Sequence, residues 1–293
     1  MTHLLQTVLL GLLIGGVYAL LASGLTLIFG VMRIINVAHG VFLVLAALLT
    51  FELWRRFGID PLLAVVITTP VMFAIGWVVY RGLIARIRIA PVSMSVLLTF
   101  ALAITIEGIM GMTWKNVFRS VTPGYFNESF HIGPFFVPKP HLYGFGMAVL
   151  VLLALYVLLT RTWAGRAIRS ASENPEGAML VGVDIRAVAA LTFAIGIATT
   201  GAGGSVLSVL YAFFPASHYV WISRLLGIVV LGGMGSIPGA VAGALLLGVA
   251  ETLTIGYVSP RWGVAVFYIV ILAVLLVRPR GLMGTRLRED VAA

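Results

Sequence analysis

A few residues of this 293-residue chain stand where polar chemistry is costly: Asn36, His39, Glu107 and Glu251 lie in or beside long apolar runs, with Glu52 close to the end of another. At membrane depth such groups must face a protein interior or a wet cavity. Glu107 and Glu251 could relay protons in an ion-coupled carrier. Asn36 and His39, three positions apart, can share a helical face and line a path, or simply bond neighbouring helices. The nearest nucleophile and base, Ser23 beside Gly24 with His39, lack a supporting spacing for hydrolysis. There is no H-E-x-x-H helix, and the only lysines, Lys115 and Lys139, lie outside any glycine-rich phosphate loop. No catalytic residue, metal site or cofactor is therefore expected in this chain, and any ATP would have to be bound by a partner.

The composition shows what must position these residues. Hydrophobic residues make up 61% of the chain, charged residues 10%, and the mean hydropathy is +1.11, values of an integral membrane protein. With roughly 20 apolar residues per crossing, residues 1–293 form a single all-α, polytopic membrane domain. About eight transmembrane helices are expected, within a range of seven to nine. The net charge of +9 is spread through short loops and the tail, which fits the positive-inside bias and argues against nucleic acid, whose binders concentrate charge on one face. With no cysteine, disulfides and thiolate chemistry are excluded. MTHLLQTVLLGLL at the start lacks a basic leader and reads as a retained first span.

Eight apolar runs occur, at 4–31, 41–54, 62–80, 92–112, 142–160, 188–214, 225–255 and 263–277. The second is short, and the first and seventh are long enough to break or fold back. Arginines mark the cytoplasmic side: Arg81, Arg86 and Arg88; Arg161, Arg166, Arg169 and Arg186 in the loop 161–187; and Arg278, Arg280, Arg286 and Arg288 in the tail 278–293. Residues 113–141 then fall outside, where Arg55 and Arg56 violate the rule. Three simple crossings after residue 187 would also put the tail outside, so one run must cross twice or re-enter. GGMGSIPGAVAG in the seventh run predicts a helix–break–helix. Its Gly232, Gly233, Gly235, Pro238 and Gly239 could line the path, since irregular backbone at membrane depth must be packed in protein or face a cavity. Gly11 and Gly15, and Gly235, Gly239 and Gly243, have the spacing of close helix contacts.

Between the fifth and sixth runs lies GRAIRSASENPEGAMLVG, residues 165–182. Asn174 is an N-cap, Pro175 suits the first helical position, Glu176 suits the positive helix end, and Gly182 is a stop. A two-turn helix over 176–181 is predicted. Its apolar side, Ala178, Met179 and Val181, either meets the chain's own span ends and membrane lipid or fits a groove in a separate protein that delivers mechanical work.

These segments together resemble the permeases of bacterial branched-chain amino acid ABC importers, over nearly the whole chain. GGVYALLASGLTLIFGVMRIINVAHG (15–40) is similar to the family's N-terminal signature, TFALAITIEG (99–108) to its middle span, and Asn174, Pro175, Ala178 and Gly182 to its coupling loop. LGGMGSIPGAVAG (231–243) and RPRGLMG (278–284) are similar to its C-terminal pattern. The resemblance implies a type II importer-like permease in the inner membrane, paired with a related second permease or a homodimer copy. It also implies two ABC ATPase subunits that bind ATP and a periplasmic solute-binding protein. Arg166, Arg169, Asn174, Pro175, Ala178, Met179 and Gly182 would dock the ATPase. IARIRIAPVSMSV (84–96) and PASHYVWISRLLG (215–227) depart from the pattern, which leaves the solute open among branched-chain and other amino acids, urea, short amides and aromatic acids. The alternatives are an ion-coupled transporter using Glu107 and Glu251, or a membrane scaffold.

Overall fold

The computed structural model describes residues 2–86 and 92–284; Arg88, Arg286 and Arg288, and the tail beyond 284, lie outside the described residues. The described helices are α1 (Thr2–Met32), α2 (His39–Phe57), α3 (Pro61–Gly82), α4 (Val92–Trp114), α5 (Lys139–Arg161), α6 (Trp163–Glu173), α7 (Pro175–Leu180), α8 (Ile185–Leu210), α9 (His218–Gly232), α10 (Ile237–Tyr257) and α11 (Pro260–Val277). A hairpin of β1 (Ser129–Ile132) and β2 (Phe135–Pro138) sits in the loop between α4 and α5 of this all-α protein. Asp60, Asp184, Ser236 and Ser259 each accept a hydrogen bond from the first turn of the helix they precede, removing orphan N–H groups before the chain enters an apolar medium.

Seven of these helices are long and apolar enough to span: α1, α3, α4, α5, α8, α10 and α11. The two ends of α1 place the hairpin and the arginine-bearing segment on opposite sides of the bundle. Gln6 bonds the backbone of Phe136 in the outer hairpin, while the Gly30 carbonyl accepts from Ser172 on the arginine-bearing cytoplasmic segment, at 2.8 Å. Alternating from there, with the shorter α2 and α9 counted as two further crossings beside the seven, Val277 ends on the side of the arginine-bearing segment, the side that the positive-inside bias makes cytoplasmic. The seventh apolar run is thus two antiparallel helices, α9 and α10, joined by a tight turn at 233–236, as the charge parity required. By contrast, the first run is one unbroken helix. Arg55 and Arg56 are outside, where both pair with Glu52, at 2.8 and 2.7 Å; Trp114 donates to the same carboxylate. That pairing offsets the charge-rule violation. Nearby, burial and then the Asp60 charge push the Tyr125 phenol up, so it remains protonated and donates to Asp60.

The chain repeats one plan with opposite direction. In each half a long helix (α1, α8) is followed by a short stretch with no α-helix, a shorter helix that begins with histidine (His39, His218) and two more helices. The long helices are exchanged, α1 packing along α10 and α8 along α3. Glycines permit these contacts. A β-carbon on Gly15 would lie 2.8 Å from the Leu245 backbone, one on Gly248 2.6 Å from that of Gly15, and one on Gly201 2.7 Å from the Thr68 carbonyl. With water absent from the bilayer, such close backbone approach is a principal source of helix association. Hydroxyls add a polar seam: Ser205 on α8 meets Thr50 on α2 and Thr68 on α3, at 2.8 and 3.1 Å.

Candidate functional site

The cytoplasmic segment is built from two capped helices. Thr162 accepts from Gly165 to start α6, which buries Ala167, Ile168 and Ala171 and leaves Arg166 and Arg169 exposed. Asn174 ends α6 and caps α7 by accepting from Gly177 at 3.1 Å. The stop is a Schellman motif, with Gly182 N–H donating to Met179 O and Val183 N–H to Ala178 O. Gly182 has φ +83°, a conformation costly for a residue with a β-carbon. One expectation is corrected: Ala178 is buried, because the short helix seats that methyl against the chain's own spans. The exposed apolar set is instead Met179, Leu180 and Val181, at 55%, 89% and 78%.

α6 also touches α1, α5 and α8. Ser172 holds Gly30 at the end of α1, and Gly30 lies against Gly235 in the α9–α10 turn. Gly233 and Gly235 have φ of +100° and +88°, and Ser236 caps α10 over Pro238 and Gly239. Tail residues Leu282 and Met283 donate to the Leu231 and Gly232 carbonyls, satisfying the end of α9. The glycine break therefore sits at the cytoplasmic face, packed against the tail.

Asn36 and His39 occupy the other break, between α1 and α2. Asn36 is outside any helix, so the two share no helical face. The irregular backbone is satisfied by Thr99 on α4, whose hydroxyl bonds the Ile35 carbonyl and the Val37 N–H, both at 3.2 Å. Both side chains are fully buried; His39 Nε2 lies 3.4 Å from the Leu21 carbonyl, and the Asn36 amide has no hydrogen-bond partner among the described residues. Leu21, the α1 residue that His39 faces, is nine residues up that helix from Gly30, about 13 Å along the axis. The structure does not bring the two breaks together. Ser23 bonds the Leu20 carbonyl rather than His39.

The two membrane carboxylates have partners that the sequence did not disclose. Glu251 faces Arg224 on α9 through Nη2 to Oε1 at 3.0 Å and Nη1 to Oε2 at 3.2 Å. Tyr18 on α1 accepts from that guanidinium at 2.6 Å and donates to Glu251 at 2.8 Å, while Tyr211 reaches the Tyr18 hydroxyl. Tyr18, Trp221 and Phe267 surround the arginine, with ring centres 5.4 to 5.8 Å from Cζ. Charge-assisted bidentate geometry with cation–π contacts is how a low-dielectric interior holds such a pair. Glu107 on α4 accepts from His218 Nε2 at 3.1 Å and from the Tyr219 hydroxyl at 2.9 Å, at the first turn of α9. These partners lie 27 to 233 residues away in sequence, beyond any local pattern.

The arrangement offers an ion-paired core, an exposed apolar cytoplasmic knob and no cluster of metal-binding side chains among the described residues. Residues 7–275 match the family model described as branched-chain amino acid transport system / permease component. The chain is 29% identical to the high-affinity branched-chain amino acid transport system permease protein LivH of Escherichia coli, over 96% of each chain. It is 30% identical to the permease protein BraD of Pseudomonas aeruginosa, again over 96% of each. A fructose import permease protein, FrcC of Rhizobium meliloti, is 26% identical over 78% of this chain and 65% of its own. No solved structure matches the chain.

Proposed function

Because the chain belongs to the family of branched-chain amino acid transport permeases, a multi-pass inner-membrane subunit of ABC importers, we propose that it forms one half of a solute pathway whose energy enters through α7. The observation that carries this reading is the exposed triplet Met179–Leu180–Val181 on a helix capped at both ends and rooted in the spans by Ala178. An apolar knob on α7, with Arg166 and Arg169 exposed on the preceding helix α6, suits a groove on a separate ATPase. Two ATPase subunits, a second permease, related or identical, and an external binding protein would complete the assembly. Force on α7 passes to α6 through Asn174, from α6 to the end of α1 through Ser172 and Gly30, and from Gly30 to Gly235. The cytoplasmic ends of α1, α9 and α10 then move together, which is the element an alternating-access cycle needs.

The names of LivH and BraD support branched-chain amino acids as the solute, and the fructose permease shows that related permeases serve other solutes. The test is uptake into proteoliposomes. The complete assembly should accumulate radiolabelled leucine only with ATP and loaded binding protein, and this chain alone should accumulate none under a proton or sodium gradient. Gradient-driven uptake by the isolated chain would overturn the proposal.

A further inference from the structure

We propose that Glu107, Tyr219, Ser223 and Tyr268 form a polar track that carries the ammonium group of an amino-acid solute, with Glu107 as its countercharge; this rests on the importer reading above. Glu107 is the sixteenth residue of α4, about 22 Å from that helix's cytoplasmic start, and so lies within a hydrocarbon core of about 30 Å. Unlike Glu251 it pairs with no arginine among the described residues. Its two hydrogen bonds both reach Oε2, from His218 and Tyr219, and among the described residues none reaches Oε1. Its side chain is 22% exposed.

The polar groups continue from there. Tyr219 and Ser223 are four apart on α9 and share a face, and the Tyr268 hydroxyl on α11 donates to Ser223 Oγ at 3.0 Å. Tyr219, Ser223 and Tyr268 are all exposed, Tyr219 by 45% and Tyr268 by 38%. Three spans thus present a carboxylate, two phenols and a hydroxyl on one outer surface at bilayer depth. Lipid solvates that set poorly, and water or passing solute is the occupant proposed for it, in preference to a packed second permease. A carboxylate with an unbonded oxygen selects a cation, and the phenol and serine hydroxyls can accept from the same ammonium as it moves along α9. The neighbouring α4 surface, Leu97, Phe100 and Ile104, is apolar and exposed, suited to an aliphatic side chain.

The absence of cysteine in the native sequence makes the test direct. Ser223→Cys is introduced into the full complex in proteoliposomes, and its reaction with a trimethylammonium methanethiosulfonate is compared with that of the sulfonate reagent of similar size. A water-accessible track with Glu107 as its countercharge should favour the cationic reagent at least about tenfold, and adding Glu107→Gln should abolish the preference. No reaction with either reagent, which places the face against lipid or packed protein, overturns the proposal. Equal reaction with both also overturns it, because Glu107 is then neutralised, by His218 at 3.1 Å or by a basic group of the second permease. ATP-driven uptake by the unsubstituted complex is measured alongside: if it is present while the labelling fails, only the track is refuted, and if it is absent the importer reading itself fails.

Discussion

Tyr18 on α1 and Glu251 on α10 share a 2.8 Å hydrogen bond in the interior of the helix bundle, and Arg224 on α9 closes the triangle. One hydroxyl therefore serves both members of an ion pair and binds three helices. Removing one charge leaves the other buried and unpaired, so Arg224→Ala or Glu251→Ala should cost about 3–5 kcal/mol. Tyr18→Phe should cost less, about 1–3 kcal/mol. The double variant Arg224→Met with Glu251→Leu should recover most of the loss. Thermal unfolding in detergent is the measurement, and a single alanine variant as stable as the native chain would refute the account.

Leu180 is the most exposed side chain of the cytoplasmic knob. Leu180→Asp should leave the fold intact and lower ATPase co-purification and ATP-driven uptake at least about tenfold, the loss of about 1.4 kcal/mol of docking energy or more. Ala178→Glu should behave differently: this methyl is buried, so the variant should lower folded yield as well as docking. Gly182→Val, at φ +83°, should cost about 1–2 kcal/mol. Normal coupling in Leu180→Asp would exclude α7 as the energy inlet.

Candidate path residues are open to a second labelling experiment. Asn36 is fully buried in the structure described, so Asn36→Cys should resist hydrophilic thiol reagents in this conformation. If the α1–α2 break lines the pathway, the same cysteine should react in a different nucleotide state of the complex. Met234→Cys, at the exposed turn between α9 and α10, serves as the comparison. Protection of residue 36 in every state would remove it from the pathway.

Gly201 and Gly146 separate packing glycines from permissive ones. A β-carbon on Gly201 would lie 2.7 Å from the Thr68 carbonyl, whereas Gly146 has nothing within 4 Å. Gly201→Leu should therefore part α8 from α3 at a cost of about 1–3 kcal/mol or more, read as a lower monodisperse yield. Gly146→Leu should leave yield unchanged. Equal yields would show that the α3–α8 contact tolerates separation.

Punctuation and charge were the most readable parts of the sequence. Asn174, Pro175 and Gly182 act locally, through caps and backbone angles, and each occupies the expected role. Arginine parity required one extra crossing, and the turn at 233–236 supplies it. Ala178 was misplaced because two turns of helix have little periodicity from which to assign a buried face. Arg224 as the partner of Glu251, His218 and Tyr219 as partners of Glu107, and Tyr18 between the charges were not readable. Spans such as α1 and α10 are apolar on every side, so no polar face announces which side meets which neighbour, and the pairings depend on tertiary contact.

The exchange of long helices between the two halves has a consequence for biogenesis. The glycine face of α1 that receives Leu245 and Gly248 is complete only when α10 emerges, about two hundred residues later. At 5–20 residues per second that is a wait of roughly 10–40 s, during which Gly11 and Gly15 face lipid or the insertion machinery. Neither half can mature before the other, so quality control during synthesis must act on a nearly finished chain rather than on successive folded parts.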